Sequence, residues 1–264
     1  MNSIQTEEFK ISVSGGQVYV KKWSVDNARS DVPIVLMHDS LGCVALWRDF
    51  PESLVRNLSC PVVAYDRLGF GKSDPRSALP SLQFILEEAT TYFPLIKAGL
   101  SISSYILLGH SVGGGMSLSI AANDADCKGV VTIAAQPFLE ERTKTGILKV
   151  KNEFALPGQL QRLQRWHGDK ARWVLDAWTN TWLSPDFAGW SLSGCIGNVR
   201  CPVLVIHGGK DEYGSTAFAQ FIAARVGGVS KLLILEECGH MPHKEKPYLV
   251  IKAVAQFLND LAPA

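Results

Sequence analysis

Ser111 stands in Gly109-His110-Ser111-Val112-Gly113, where the apolar run "YILLGH" gives way to the small-residue run "SVGGGMSLSIAAN". A serine hydroxyl is a weak nucleophile until a neighbouring base takes its proton, and that base needs a carboxylate to fix its tautomer. Residues of both types follow later apolar runs: Asp211 closes "VLVIHGGKD" and His240 lies in "EECGHMPH". The chemistry they could perform together is acyl transfer, with the serine attacking a carbonyl carbon. GxSxG alone is short enough to arise by chance, but here it joins a strand pattern to a helix pattern. The two glycines suit a turn sharp enough to expose the serine, and a helix N-terminus supplies free N–H groups for a developing oxyanion. His243 competes with His240, and Glu212 with Asp211; His240 comes first after its strand, and Glu212 is read as solvated. His38 and His110 are read as structural groups around strand ends, and His207 as a core histidine.

These residues must be positioned by strands that end near one another. "VPIVLMH", "CPVVAYD", "SYILLGH", "CKGVVTIAA", "CPVLVIHGGKD" and "KLLILEE" are short continuous apolar runs, which predict buried strands. Helical spacing follows in "SLQFILEEATTYFPLIKAGL", with Pro94 expected to bend or end it, in "STAFAQFIAARV" and in "YLVIKAVAQFLNDL". Such alternation predicts an α/β fold, a mostly parallel sheet with helices on both faces. "QVYVKKW" alternates and reads as an antiparallel hairpin strand at the sheet edge. Residues 137–194 carry no strand pattern but hold Trp166, Trp173, Trp178, Trp182 and Trp190. They predict a helical cap (lid) subdomain inserted into a core formed by residues 1–136 and 195–264. In doubly wound sheets the carboxyl ends of the strands share one edge, so Ser111, Asp211 and His240 can converge there.

The segments "VPIVLMHDS", "VVAYDRLGFGKSD", "LLGHSVGGG", "VLVIHGGKDEYG" and "CGHMPHKEKP" run from about residue 32 to 248. In that order and spacing the chain resembles the α/β-hydrolase superfamily, in particular its cap-bearing serine esterases and C–C-bond hydrolases. The resemblance implies Ser111 as nucleophile, His240 as base, Asp211 as orienting acid, and the backbone N–H groups of Ser40 and Val112 as the oxyanion hole. Asp39 departs from the pattern, since glycine usually follows the histidine of "HG" there. Its favoured reading is a turn cap, which aspartate supplies well; the rival reading puts its charge beside the substrate. Asp39, His167 and Trp166 are therefore candidate substrate contacts. Arg162, Arg165 and Arg172 stand against Asp169 and Asp176 in the insertion and offer a carboxylate clamp.

Composition narrows the class further. With 47% hydrophobic and 19% charged residues and a net charge of +1, the chain of 264 residues is globular, with no electrostatic case for nucleic acid or an anionic membrane. The six cysteines form no CxxC pair and predict reduced thiols and a cytoplasmic protein; the first residues lack the basic and apolar regions of a signal peptide. "GFGKS" fails as a phosphate loop because Asp66 occupies the position of its first glycine, and "HMPH" has no third metal ligand. No cofactor and no metal are expected. The sequence thus predicts a cofactor-independent serine hydrolase of a small, partly apolar carboxylic ester, thioester or lactone, working through an acyl-enzyme. A C–C hydrolase of a diketone-type ring-cleavage product, a lyase or oxygenase, and a ligand-binding protein are its alternatives.

Overall fold

A two-residue turn through Ser14 and Gly15 joins β1 (Ile4–Val13) to β2 (Gly16–Val25), and Gly15 takes φ 86°, a conformation glycine adopts without strain. This hairpin opens an eight-stranded sheet in a computed structural model that describes residues 3–261. The other strands are β3 (Ile34–Met37), β4 (Val62–Tyr65), β5 (Tyr105–His110), β6 (Cys127–Ile133), β7 (Val203–Gly208) and β8 (Ser230–Leu235). Their order is β1-β2-β4-β3-β5-β6-β7-β8, and every pairing from β4 to β8 is parallel. β2 is not the edge strand that its alternation predicts. It pairs with β1 on one side and with β4 on the other, Val20 opposite Tyr65, and its consecutive residues Val18, Tyr19 and Val20 are all buried. The edge falls to the largely exposed β1.

Among the described residues there are ten α-helices: α1 (Phe50–Leu58), α2 (Phe84–Glu87), α3 (Phe93–Leu100), α4 (Val112–Asn123), α5 (Glu141–Phe154), α6 (Gln159–His167), α7 (Ala171–Trp182), α8 (Thr216–Arg225), α9 (Pro242–Glu245) and α10 (Pro247–Leu261). Strand side chains alternate between faces, so Val35, Met37 and Leu107 pack with Ile96 of α3, Leu118 of α4 and Ile222 of α8. Ile34, Leu36 and Leu108 pack on the other face with Leu54 of α1 and Val254 and Phe257 of α10. The helix expected around Pro94 is interrupted one turn earlier, by a wide π turn at Glu88–Tyr92 between α2 and α3. Pro94 lacks an N–H to donate back to the preceding turn, and it sits at the start of α3 where none is needed.

Between β6 and β7 the described chain forms α5, α6, α7 and short 3-10 turns, and no strand. Its small apolar core of Leu163, Ala171, Val174 and Leu175 closes onto Phe70 of the turn after β4.

Candidate active site

Ser111 occupies the turn between β5 and α4 at φ 56° and ψ −124°, a strained conformation for a residue with a side chain. Its N–H donates to the Ile133 carbonyl at 2.9 Å, tying the turn to β6. The flanking glycines are dictated by space. A Cβ on Gly109 would lie 2.2 Å from the Gly113 carbonyl oxygen, and one on Gly113 would lie 2.2 Å from that of Met37. Val112 opens α4, where an N–H has no acceptor within the helix.

Asp211 lies just past β7 and His240 in the loop between β8 and α9; both are buried. The carboxylate faces the imidazole at 2.8 Å, Asp211 Oδ2 to His240 Nδ1. Its other oxygen accepts from the N–H groups of Tyr213 at 2.7 Å and Gly214 at 3.2 Å. Burial works against the charge of Asp211, but His240 and the Tyr213 N–H outweigh it and leave its pKa below the usual value. For His240 burial likewise disfavours the charged form, yet the hydrogen bond and charge of Asp211 prevail and raise its pKa. Nδ1 is thereby committed to Asp211, which leaves Nε2 on the far side of the ring. Glu212 supports this loop by accepting from the His240 N–H at 3.2 Å. His243 is buried against Trp47, Phe50 and His110, with ring centroids 4.6 to 5.5 Å away, and burial drives its pKa well down.

Ser111 and His240 line one cavity that opens to solvent. Asp39, Ser40 and Leu41 border it from the loop after β3, Trp178 from α7, and Gln136, Tyr213 and Met241 complete it. Ser40 and Val112 together line an adjoining cavity. Asp39 does not cap its turn through its side chain. The turn is closed by backbone, Gly42 N–H to Asp39 carbonyl at 3.3 Å, while Oδ2 of Asp39 faces His110 Nδ1 at 3.3 Å. Oδ1 has no partner and is held in the space a Gly42 side chain would fill. Burial opposes this carboxylate's charge, but His110 holds its pKa far below the ordinary range. His110 Nε2 meets the His240 carbonyl at 2.8 Å, so one imidazole joins the Asp39 loop to the His240 loop.

The two aromatic candidates from the insertion lie elsewhere. His167 is buried with both ring nitrogens engaged: Nδ1 accepts from the Gly71 N–H at 2.9 Å and Nε2 meets the Leu41 carbonyl at 3.0 Å. It fastens the end of α6 to the loops after β3 and β4 and does not line the cavity. Trp166 lies under the Arg48 guanidinium, 4.4 Å from its ring centroid. Arg162, Arg165 and Arg172 are exposed. Trp178 is the tryptophan that reaches the cavity, and among the residues that sequence reasoning missed, Tyr213 carried a signal in its place two residues after Asp211. Its ring lies 4.7 Å from that of His240.

Residues 34–253 match the model of the Alpha/beta hydrolase family. The chain belongs to that family. It is 22% identical to a proline iminopeptidase of Heyndrickxia coagulans, over 97% of this chain and 99% of that protein. The solved proline iminopeptidase of Mycobacterium smegmatis superposes with a TM-score of 0.73 at 20% identity, covering 97% of this chain and 98% of that one. The enol-lactonase of Burkholderia xenovorans does so with a TM-score of 0.73 at 19% identity, covering 95% and 100%. Likeness at this level establishes the fold and leaves the substrate to be argued from the site. Among the described residues no helix is long and apolar enough to cross a membrane.

Proposed function

We propose that this α/β-hydrolase is a serine hydrolase of a small carboxylic ester, thioester or lactone and that it works through an acyl-enzyme. The observation that carries the reading is Ser111 on its strained turn, in the same cavity as a histidine whose Nδ1 is held 2.8 Å from a buried carboxylate. Ser111 Oγ attacks the carbonyl carbon while His240 Nε2 takes its proton, and Asp211 stabilises the imidazolium that forms. The N–H groups of Ser40 and Val112 receive the oxyanion. His240 then protonates the leaving group, and in the second half it draws a proton from the water that releases the acid. Helices α5 to α7 serve as the cap, with Trp178 as its contact to an apolar part of the substrate. The scattered thiols suit a reducing compartment such as the cytoplasm.

Steady-state hydrolysis of p-nitrophenyl acetate and butyrate, a thioester and a lactone tests this reading in the wild type and in Ser111→Ala. At least one substrate should turn over, and the variant should lose at least about a thousandfold in kcat with its melting temperature preserved. Equal turnover by Ser111→Ala would overturn the mechanism.

A further inference from the structure

Gln136 sits in the loop after β6 and borders the cavity that holds Ser111 and His240. It is only 4% exposed. Among the described residues no hydrogen bond reaches its side-chain amide, yet neither amide atom is sealed off inside the fold. The surface that Gln136 keeps therefore lies on the cavity wall. A buried amide without a partner is unfavourable, because its N–H donors and its carbonyl have given up water and gained nothing in return. What it lacks in the fold, a molecule in the cavity can supply.

The backbone holds this amide in place. Ala134, two residues earlier, takes φ 51°, a strained value for a residue with a side chain, and its N–H donates to the Ile206 carbonyl at 2.9 Å. On the other side the Pro137 carbonyl accepts the Leu192 N–H at 2.8 Å. α4 passes close by, so that a Cβ on Gly115 would lie 3.3 Å from the Gln136 carbonyl oxygen. Ser111 donates its own N–H to Ile133, so the nucleophile and the amide stand on neighbouring strand ends that are tied together.

The polarity of the cavity narrows what the amide can meet. No lysine or arginine lines it among the described residues, whereas Asp39 does, its carboxylate kept ionised by His110. A substrate carboxylate would face that charge with no cation on the wall to offset it. A carboxylate only accepts hydrogen bonds and an ammonium only donates them. A hydroxyl or a primary amide does both, and so matches both ends of the Gln136 amide. Leu41, Trp178 and Met241 offer apolar surface beside it.

We propose that Gln136 selects the substrate by pairing with an uncharged hydroxyl or primary amide carried beside the scissile carbonyl group. The proposal rests on the hydrolase reading above and narrows its substrate to small neutral esters, thioesters or lactones with a second, hydrogen-bonding group.

The test pairs esters that differ only by a polar group and its apolar isostere. On the acyl side these are ethyl lactate with ethyl isobutyrate and ethyl succinamate with ethyl isocaproate; on the alcohol side, carbamoylmethyl butyrate with isobutyl butyrate. Each kcat/KM is divided by the rate at which hydroxide hydrolyses the same ester, which removes intrinsic reactivity. In at least one pair the polar member should lead by about three- to tenfold, the worth of a neutral hydrogen bond. Monoethyl succinate, the charged counterpart of ethyl succinamate, should fall behind it. In Gln136→Met, and in Gln136→Leu as a second apolar variant, the lead should vanish while the melting temperature holds or rises, because the amide bonds to nothing in the fold. A lead on either side of the ester supports the proposal and assigns Gln136 to that side. No polar lead in the wild type, monoethyl succinate ahead of ethyl succinamate, or a lead unchanged in both variants would overturn it. If the wild type turns over none of these esters, the hydrolase reading fails on its own. NMR titration of Ser111→Ala with the same pairs then decides the subsite, which should bind a polar member about three- to tenfold more tightly than its isostere; equal binding in every pair would overturn the proposal.

Discussion

His240 stands between two opposing influences. Burial disfavours its charged form, while the carboxylate of Asp211 favours it and wins, so its pKa lies above the ordinary 6.5. A base accepts a proton only when neutral, so kcat/KM should fall as pH drops through a value above 6.5. In Asp211→Asn the stabilising charge is gone and burial remains. The acid limb should then move to lower pH, and kcat should drop by about 10⁴; a pH–rate profile measures both, and an unmoved limb would show that His240 is not the titrating base. At this scale the sequence named residues that the fold brings together, Ser111 and His240 in one cavity and Asp211 against His240, because each sits at the end of an apolar run. The choice between His240 and His243 depends on packing against Trp47 and Phe50, which no local pattern records. The same holds for Asp39, whose partner His110 comes from another strand.

Among the elements, the β5–α4 unit governs the geometry of the serine, and Gly113 sets how closely α4 approaches β3. Gly113→Ala should place a methyl 2.2 Å from the Met37 carbonyl oxygen, which neither backbone can yield without moving. Urea denaturation should show a loss of about 2–3 kcal/mol, with activity lost as the turn shifts; a variant of unchanged stability and rate would mean the turn relaxes freely. The parallel strands were legible as continuous apolar runs, but β8 lies at the other edge of the sheet and its "KLLIL" run is half-buried rather than buried. β1 was not legible, because "IQTEEFKISV" is mostly polar and exposed and becomes a strand only through its register with β2, Ile11 opposite Val18. The break before α3 was legible as Pro94, but its form as a π turn was not.

At the scale of the whole molecule, residues 137–194 are held to the sheet-bearing part at several places: Thr143 Oγ1 donates to the Tyr213 carbonyl at 2.6 Å, and a second tie lies at the turn after β4. His167 bonds both the Gly71 N–H and the Leu41 carbonyl, and Lys170 Nζ donates to the Gly71 carbonyl at 2.7 Å. Trp173 packs over Gly69 and Phe70 beside them. His167→Ala leaves the buried Gly71 N–H without a partner and should cost about 1–3 kcal/mol in thermal or chemical unfolding. Leu41 borders the cavity, so KM should rise more than kcat falls; an unchanged KM would separate the insertion from substrate binding. Five tryptophans fall in residues 137–194, but that Trp178 is the one bordering the cavity depends on how α7 packs, which no local pattern records. The central claim is that the molecule assembles an activated serine, and the most direct test is intact-mass spectrometry with peptide mapping after fluorophosphonate treatment of the wild type and His240→Ala. A single adduct on Ser111, lost in the folded variant, is the predicted result; no adduct on the folded wild type, or equal labelling of both, would contradict it.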